Sequence, residues 1–147
     1  MRRHDPIVNY LCDHLKENPE VRLAKEQTFR VEPGEERLKP DLVVAFGGVS
    51  YIVDVTVRLE VDGSLADAHA EKILKYEVLA LQVNCMFATN TAKVLPIVVG
   101  ARGALPKQTK ENLAVLGLGT RGILRTLSVE TLKASLNMLS CFMDYGE

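Results

Sequence analysis

Lys39-Pro40-Asp41-Leu42-Val43-Val44-Ala45-Phe46-Gly47-Gly48-Val49-Ser50-Tyr51-Ile52-Val53-Asp54-Val55-Thr56-Val57 contains two short apolar runs split by a glycine pair. Leu42 to Phe46 and Tyr51 to Val57 are rich in β-branched residues, and Gly47-Gly48 supplies the backbone freedom of a tight turn, so the stretch predicts a β-hairpin. Asp41 enters the first strand, and Asp54 lies inside the second between large apolar neighbours. The two aspartates stand about equally far from the turn, so their carboxylates converge if both face the same side.

Upstream, Asp5-Pro6 reads as a helix cap followed by proline in the first turn, and Ile7, Val8, Leu11, Cys12 and Leu15 recur at the helical period until Asn18-Pro19. Val21 to Val31 alternates in part and predicts a strand, closed by the acidic turn Pro33-Gly34-Glu35-Glu36. Downstream, Ser64 with Asp67 is the expected cap of a long helix, with Ala70, Ile73, Leu74, Val78 and Leu81 as its buried stripe. Val94 to Val99 is a further strand, and Pro96 within it predicts an edge position or a bulge because proline cannot donate to a ladder. A loop over Gly100 to Gly103 precedes two helical segments, Lys107 to Leu116 and one from a Ser128 cap to about Met143. The order αβββαβαα predicts an α/β fold: a mixed four-stranded sheet flanked by helices, with an αβββαβ core, extra C-terminal helices and one domain over 1–147.

The composition, 47% apolar and 25% charged over 147 residues, suits one core-forming domain. No apolar run approaches the ~20 residues of a membrane span, and Met1-Arg2-Arg3-His4-Asp5 lacks the apolar region of a secretory signal, so a soluble intracellular protein is expected. Cys12, Cys85 and Cys141 are widely separated among apolar neighbours, which predicts three buried thiols and neither a disulfide framework nor a zinc site. A formal net charge of -1 provides no overall basic excess for a phosphate backbone, so nucleic-acid binding would need a clustered patch.

An aspartate in a buried strand must be paired, protonated or bound to a cation, because desolvating a lone charge costs several kcal/mol. Taken singly, Asp41 reads as a turn cap and Asp54 as the partner of Arg58 or Lys72. Together, two carboxylates on adjacent strands invite a divalent cation, and oxygen-only ligands favour magnesium or manganese. Thr56 shares the strand face of Asp54 two positions on, where an uninterrupted D-x-K motif would carry lysine. The following helix carries Lys72, Lys75 and Tyr76, and a long lysine from it reaches the same region.

Lys39-Pro40-Asp41, Asp54-Val55-Thr56-Val57 and Ala68-His69-Ala70-Glu71-Lys72-Ile73-Leu74-Lys75-Tyr76, in this order and spacing, resemble the restriction-like endonuclease (PD-(D/E)XK) domain of site-specific non-LTR retrotransposon proteins. Arg3-His4-Asp5 with Leu11 resembles that family's RH motif, and Val99-Gly100-Ala101-Arg102-Gly103 its strand and loop after the active site. Thr56 departs from the general nuclease pattern; the family carries the lysine on the helix instead.

The resemblance implies phosphodiester hydrolysis in DNA, with Asp41, Asp54 and the Val55 carbonyl holding magnesium or manganese. Lys72 would be the catalytic lysine, with Lys75 its competitor. Tyr76 would either bond a phosphate or pack at the helix edge. His4 and His69 read as phosphate contacts, supporting groups or structural histidines, and His14 as structural. Asp13 and Glu17 are further acidic candidates, set against a solvated helix face. Arg3, Arg102 and Lys107 lead the candidate DNA contacts, with Arg2, Lys75, Lys110 and Arg121 behind them, and Arg102 stands first because flanking glycines permit close approach.

The resemblance further implies a parent polyprotein with a reverse transcriptase region, a nuclear location, and nicking of target DNA to prime reverse transcription. Two alternatives stand beside it: a non-catalytic nucleic-acid-binding module of the same fold, and a homodimeric nuclease like the archaeal Holliday-junction resolvases. Apolar surface on the C-terminal helices, including Phe142 and Met143, would serve a homo-oligomer or docking onto the parent.

Overall fold

The computed structural model describes residues 5–31, 34 and 36–145, with side chains described as far as residue 138. Arg3, His4, Pro33, Glu35 and the side chains of Cys141, Phe142 and Met143 therefore lie outside the described residues.

Helix α1 (Asp5–Lys16) buries Ile7, Val8, Leu11, Cys12 and Leu15, the stripe its periodicity predicts. The single strand expected over Val21 to Val31 is instead two pieces, β1 (Arg22–Lys25) and β2 (Phe29–Arg30). Between them Glu26 adopts a φ of 54°, a left-handed conformation that no extended run can pass through. β2 pairs with β3 (Arg37–Leu38) as a small separate ribbon. The predicted hairpin forms from β4 (Leu42–Phe46) and β5 (Val49–Arg58). Gly47 and Gly48 have φ values of 60° and 78°, the pair of positive angles that a two-residue turn matched to strand twist requires.

After β5, α2 (Ser64–Tyr76), a 3₁₀ turn (Glu77–Leu79) and α3 (Ala80–Phe87) cross back over the sheet to β6 (Thr91–Gly100), which pairs parallel to β5. The sheet order β1-β4-β5-β6 is antiparallel except for that last pair, so the expected mixed four-stranded sheet is present. β6 is an edge strand, which accommodates Pro96. α4 (Lys107–Val115) and α5 (Arg121–Tyr145) complete the chain.

The pleat divides the core. Val53 and Val55 of β5 pack with α1, Leu113 of α4 and Leu127 of α5, whereas Ile52 packs with Tyr76, Leu79, Val83 and Phe87 on the opposite face. Asp54, being of the same parity as Ile52, therefore faces α2.

Four expectations are corrected. Ser64 is the first helical residue rather than a cap; Gly63, at φ 72°, precedes it without any side-chain cap bond. Ala70, Leu74, Val78 and Leu81 are exposed, and the buried stripe runs through Ala68, Tyr76, Leu79, Val83 and Phe87. Cys85 falls on the exposed side for the same reason, while Cys12 is buried as expected. The last helix starts at Arg121, where the Thr120 hydroxyl accepts the Ile123 N–H at 3.3 Å, and Ser128 lies inside it. No helix among the described residues is long and apolar enough to cross a membrane.

Candidate functional site

The β4–β5 register pairs Leu42 with Val53, so one further step sets Asp41 opposite Asp54. Both are buried, at 8% and 4% exposure. The Val55 N–H donates to Asp41 Oδ2 at 2.7 Å, so the Asp41 carboxylate stands where the ladder would otherwise need a main-chain acceptor. The Asp41 N–H points to Asp54 Oδ1 at 3.4 Å, a long and weak bond, and the Asp41 carbonyl accepts the Glu26 N–H at 3.0 Å.

Lys72 reaches this pair from α2. Ala68 and Tyr76, one helical repeat before and after it, are buried, so position 72 lies on the stripe that faces the sheet. Its Nζ stands 2.9 Å from Asp54 Oδ2, an ion pair whose side chains are 21% and 6% exposed. Lys75 is exposed, with its Nζ 5.1 Å from the centre of the Tyr76 ring; Lys72 stands 5.8 Å from the same ring. Tyr76 is packed at 3% exposure beside the two amines. Of the two lysines, Lys72 is the one brought to the aspartates.

Further along β5, Arg58 pairs with Glu71 of α2 at 2.5 Å. Thr56 lies between Asp54 and Arg58 on this face, and its Oγ1 is buried with no hydrogen-bond partner among the described residues. His69 Nε2 on α2 is in the same condition, and burial lowers the pKa of that imidazole below its ordinary value.

A cavity of about 210 Å³ opens beside Asp41, lined by Asp5, Val8, Asn9, Lys25, Glu26 and Asp41. Asp5 and Glu26 thus join Asp41 around one space, a grouping the sequence reading missed. In the sequence Asp5 reads as a helix cap and as the end of the Arg3-His4-Asp5 stretch, and Glu26 falls within the expected strand. Asp13 and Glu17, the acidic candidates on α1, are exposed, in keeping with a solvated face.

The candidate cationic contacts lie apart from this centre. Arg102 is exposed in the loop after β6, and Lys107 is 90% exposed at the start of α4, 3.9 Å from Glu111. Lys110 and Arg121 are exposed, and half-buried His14 packs edge-on against Tyr10 at 4.6 Å between ring centres.

Among the described residues, no group of three or more His, Cys, Asp or Glu is arranged to hold a metal ion. The donors on offer are two carboxylates and the Val55 carbonyl. That set fits magnesium or manganese, which commonly take one or two carboxylates and leave the other positions to water and phosphate.

No protein-family model matches the chain. It is 31% identical over 105 residues to the retrovirus-related Pol polyprotein from type-1 retrotransposable element R2 of Popillia japonica. The alignment covers 70% of this chain and 21% of that much longer protein. Among solved structures, the Toscana virus cap-snatching endonuclease has a TM-score of 0.42 at 21% identity, over 71% of this chain and 60% of that one. A phenuivirus cap-snatching endonuclease structure has a TM-score of 0.41 at 18% identity, over 74% and 57%.

Proposed function

We propose that the chain is a metal-dependent DNA endonuclease domain of the restriction-like, PD-(D/E)XK type, which nicks target DNA to prime reverse transcription by a retrotransposon protein. The observation that carries this reading is the convergence of Asp41, Asp54 and Lys72, with Lys72 Nζ 2.9 Å from Asp54 Oδ2. The similarity to a retrotransposon Pol polyprotein supports a parent polyprotein. On this reading the parent carries a reverse transcriptase region, the partner is DNA and the location is nuclear.

Asp41, Asp54 and the Val55 carbonyl would hold magnesium or manganese, which when bound neutralises phosphate charge and lowers the pKa of water. Lys72 orients the attacking water and stabilises the charge that develops on the phosphate oxygens. Asp41 also ties the Val55 amide, which fixes the carbonyl of the same residue relative to both carboxylates. Tyr76 packs under Lys72 and limits where its amine can swing.

One observation favours a second reading, a non-catalytic nucleic-acid module: the Lys72 ion pair by itself accounts for a buried Asp54. The two part on supercoiled plasmid incubated with wild-type, Asp54→Ala and Lys72→Ala protein in magnesium or manganese, with an EDTA control. Nicking by wild type alone, stopped by EDTA, supports the nuclease. Equal nicking by all three removes the proposed site, and DNA binding without nicking by wild type supports the module.

A further inference from the structure

Glu60, just past the end of β5, reaches across to the loop that follows β6. Its Oε1 accepts the Arg102 N–H at 2.7 Å and the Ala104 N–H at 3.2 Å. The loop is held at every other residue as well. The Ala101 N–H donates to the Arg58 carbonyl at 2.7 Å, and the Ala101 carbonyl accepts the Ser135 hydroxyl at 2.7 Å. The Gly100 N–H donates to the Ala104 carbonyl, and the Gly103 N–H to the Gly100 carbonyl, both at 2.8 Å. Two glycines are required by this packing: a Cβ at Gly100 would fall 2.2 Å from Glu60 Oε1, and one at Gly103, at φ 93°, would fall 2.8 Å from the Ser128 carbonyl oxygen.

Such close fixing of an exposed loop needs a reason, and Arg102 supplies one. Its backbone is immobilised by Glu60, while its side chain is exposed and forms no ion pair among the described residues. Pro96 pairs with Asp54 and Gly100 with Arg58, so the loop begins four strand residues beyond the carboxylates, about 13 Å along the sheet. On duplex DNA that is about four base-pair steps, within reach of a backbone phosphate flanking the cleavage position.

Resting on the nuclease reading above, we propose that Glu60 is a positioning residue which locks the Gly100–Ala104 loop so that Arg102 grips a DNA backbone phosphate flanking the scissile bond. The ligand is the phosphodiester backbone rather than a base, so the contact adds affinity and register without reading sequence. A carboxylate near a phosphate-binding loop is unfavourable on charge alone; here its Oε1 is taken up by two amides.

The test is equilibrium binding of a fluorescent 30-base-pair duplex to the full chain in EDTA over a series of salt concentrations. Arg102→Ala is expected to weaken binding about five- to tenfold and to reduce the salt slope by about one. Glu60→Ala is expected to lose affinity to a similar degree, whereas removal of a nearby negative charge alone would strengthen binding. Glu60→Gln, which keeps an acceptor of the same reach, stays near wild type, and the Glu60→Ala/Arg102→Ala double variant is no weaker than Arg102→Ala. Glu60→Asp, one methylene shorter, repeats the test if Glu60→Ala does not fold. Unchanged binding and salt slope in Arg102→Ala overturn this inference while leaving the nuclease reading intact, as do losses from the two single variants that multiply in the double. A wild-type chain that binds no duplex overturns this inference, and the nuclease reading falls with it if that chain also fails to nick plasmid in magnesium or manganese.

Discussion

Lys72 Nζ lies 2.9 Å from Asp54 Oδ2, a contact that ties α2 to a buried carboxylate of the hairpin and lies at the centre of the proposed reaction site. The two roles separate by substitution. Lys72→Met leaves the Asp54 carboxylate, among the described residues, with the long 3.4 Å bond from the Asp41 N–H, and should cost about 2–4 kcal/mol, somewhat below a fully buried pair because Lys72 is partly exposed. Asp54→Asn/Lys72→Met removes both charges and should be more stable than Lys72→Met. Plasmid nicking should fall by about 10²-fold or more in both and not recover in the double variant. Denaturant melts and nicking rates on the same preparations check this; recovery of nicking together with stability would make the pair structural only.

The phase of the crossover helices can be tested at two leucines. Leu79, at the end of the 3₁₀ turn, is 0% exposed, whereas Leu81, two residues on in α3, is 79% exposed. Leu79→Ala should cost about 2–5 kcal/mol through lost burial and the cavity left behind. Leu81→Ala should stay within about 0.5 kcal/mol of wild type. Equal losses in urea titrations would mean that the helix is turned the other way.

That phase was the part of the fold least legible in the sequence. The hairpin could be read because Gly47-Gly48 fixes the turn, and α1 because Ile7, Val8, Leu11, Cys12 and Leu15 recur at the helical period and are all buried. On the crossover, Leu74, Val78 and Leu81 recur at helical spacing, but so do Ala68, Tyr76, Leu79, Val83 and Phe87 two positions out of step, and it is this second stripe that packs on the sheet while the first faces solvent. Of the candidate site, Asp41 and Asp54 were legible because strand parity is a local rule, whereas spacing offered both Lys72 and Lys75 and only the family resemblance put Lys72 first. Asp5 and Glu26 were not, since a left-handed φ at a glutamate has no sequence signature and brings together residues from α1 and the end of β1.

His69 should make stability depend on pH. Its folded pKa is lowered by desolvation, so between that value and the ordinary 6.5 the unfolded chain binds more protons than the folded one. Stability from this group is complete above 6.5 and is lost as pH falls through the folded pKa. His69→Gln removes the titration. The melting temperature of wild type relative to His69→Gln should therefore drop between about pH 7.5 and pH 5.5. A constant difference across that range would show that His69 titrates alike in both states.

Thr56 is the position where the site departs from a D-x-K strand, and its buried hydroxyl has no partner among the described residues. Thr56→Val should therefore leave stability unchanged or raise it, since no hydrogen bond is lost and a desolvated polar group is removed. Thr56→Lys is the more demanding test. Position 56 shares the face of Asp54, so a lysine there could lay its stem along the strand and bring an amine toward the carboxylates from the sheet rather than from the helix. In a Lys72→Ala background, with nicking reduced about 10²-fold, Thr56→Lys should restore about tenfold of it, because a cation near the reacting phosphate matters more than the element that carries it. Nicking rates of Lys72→Ala and Thr56→Lys/Lys72→Ala, each confirmed folded by circular dichroism, decide the point. No gain in a folded double variant would mean that α2 contributes more than a charge, and that the position of Lys72 between Ala68 and Tyr76 is itself required.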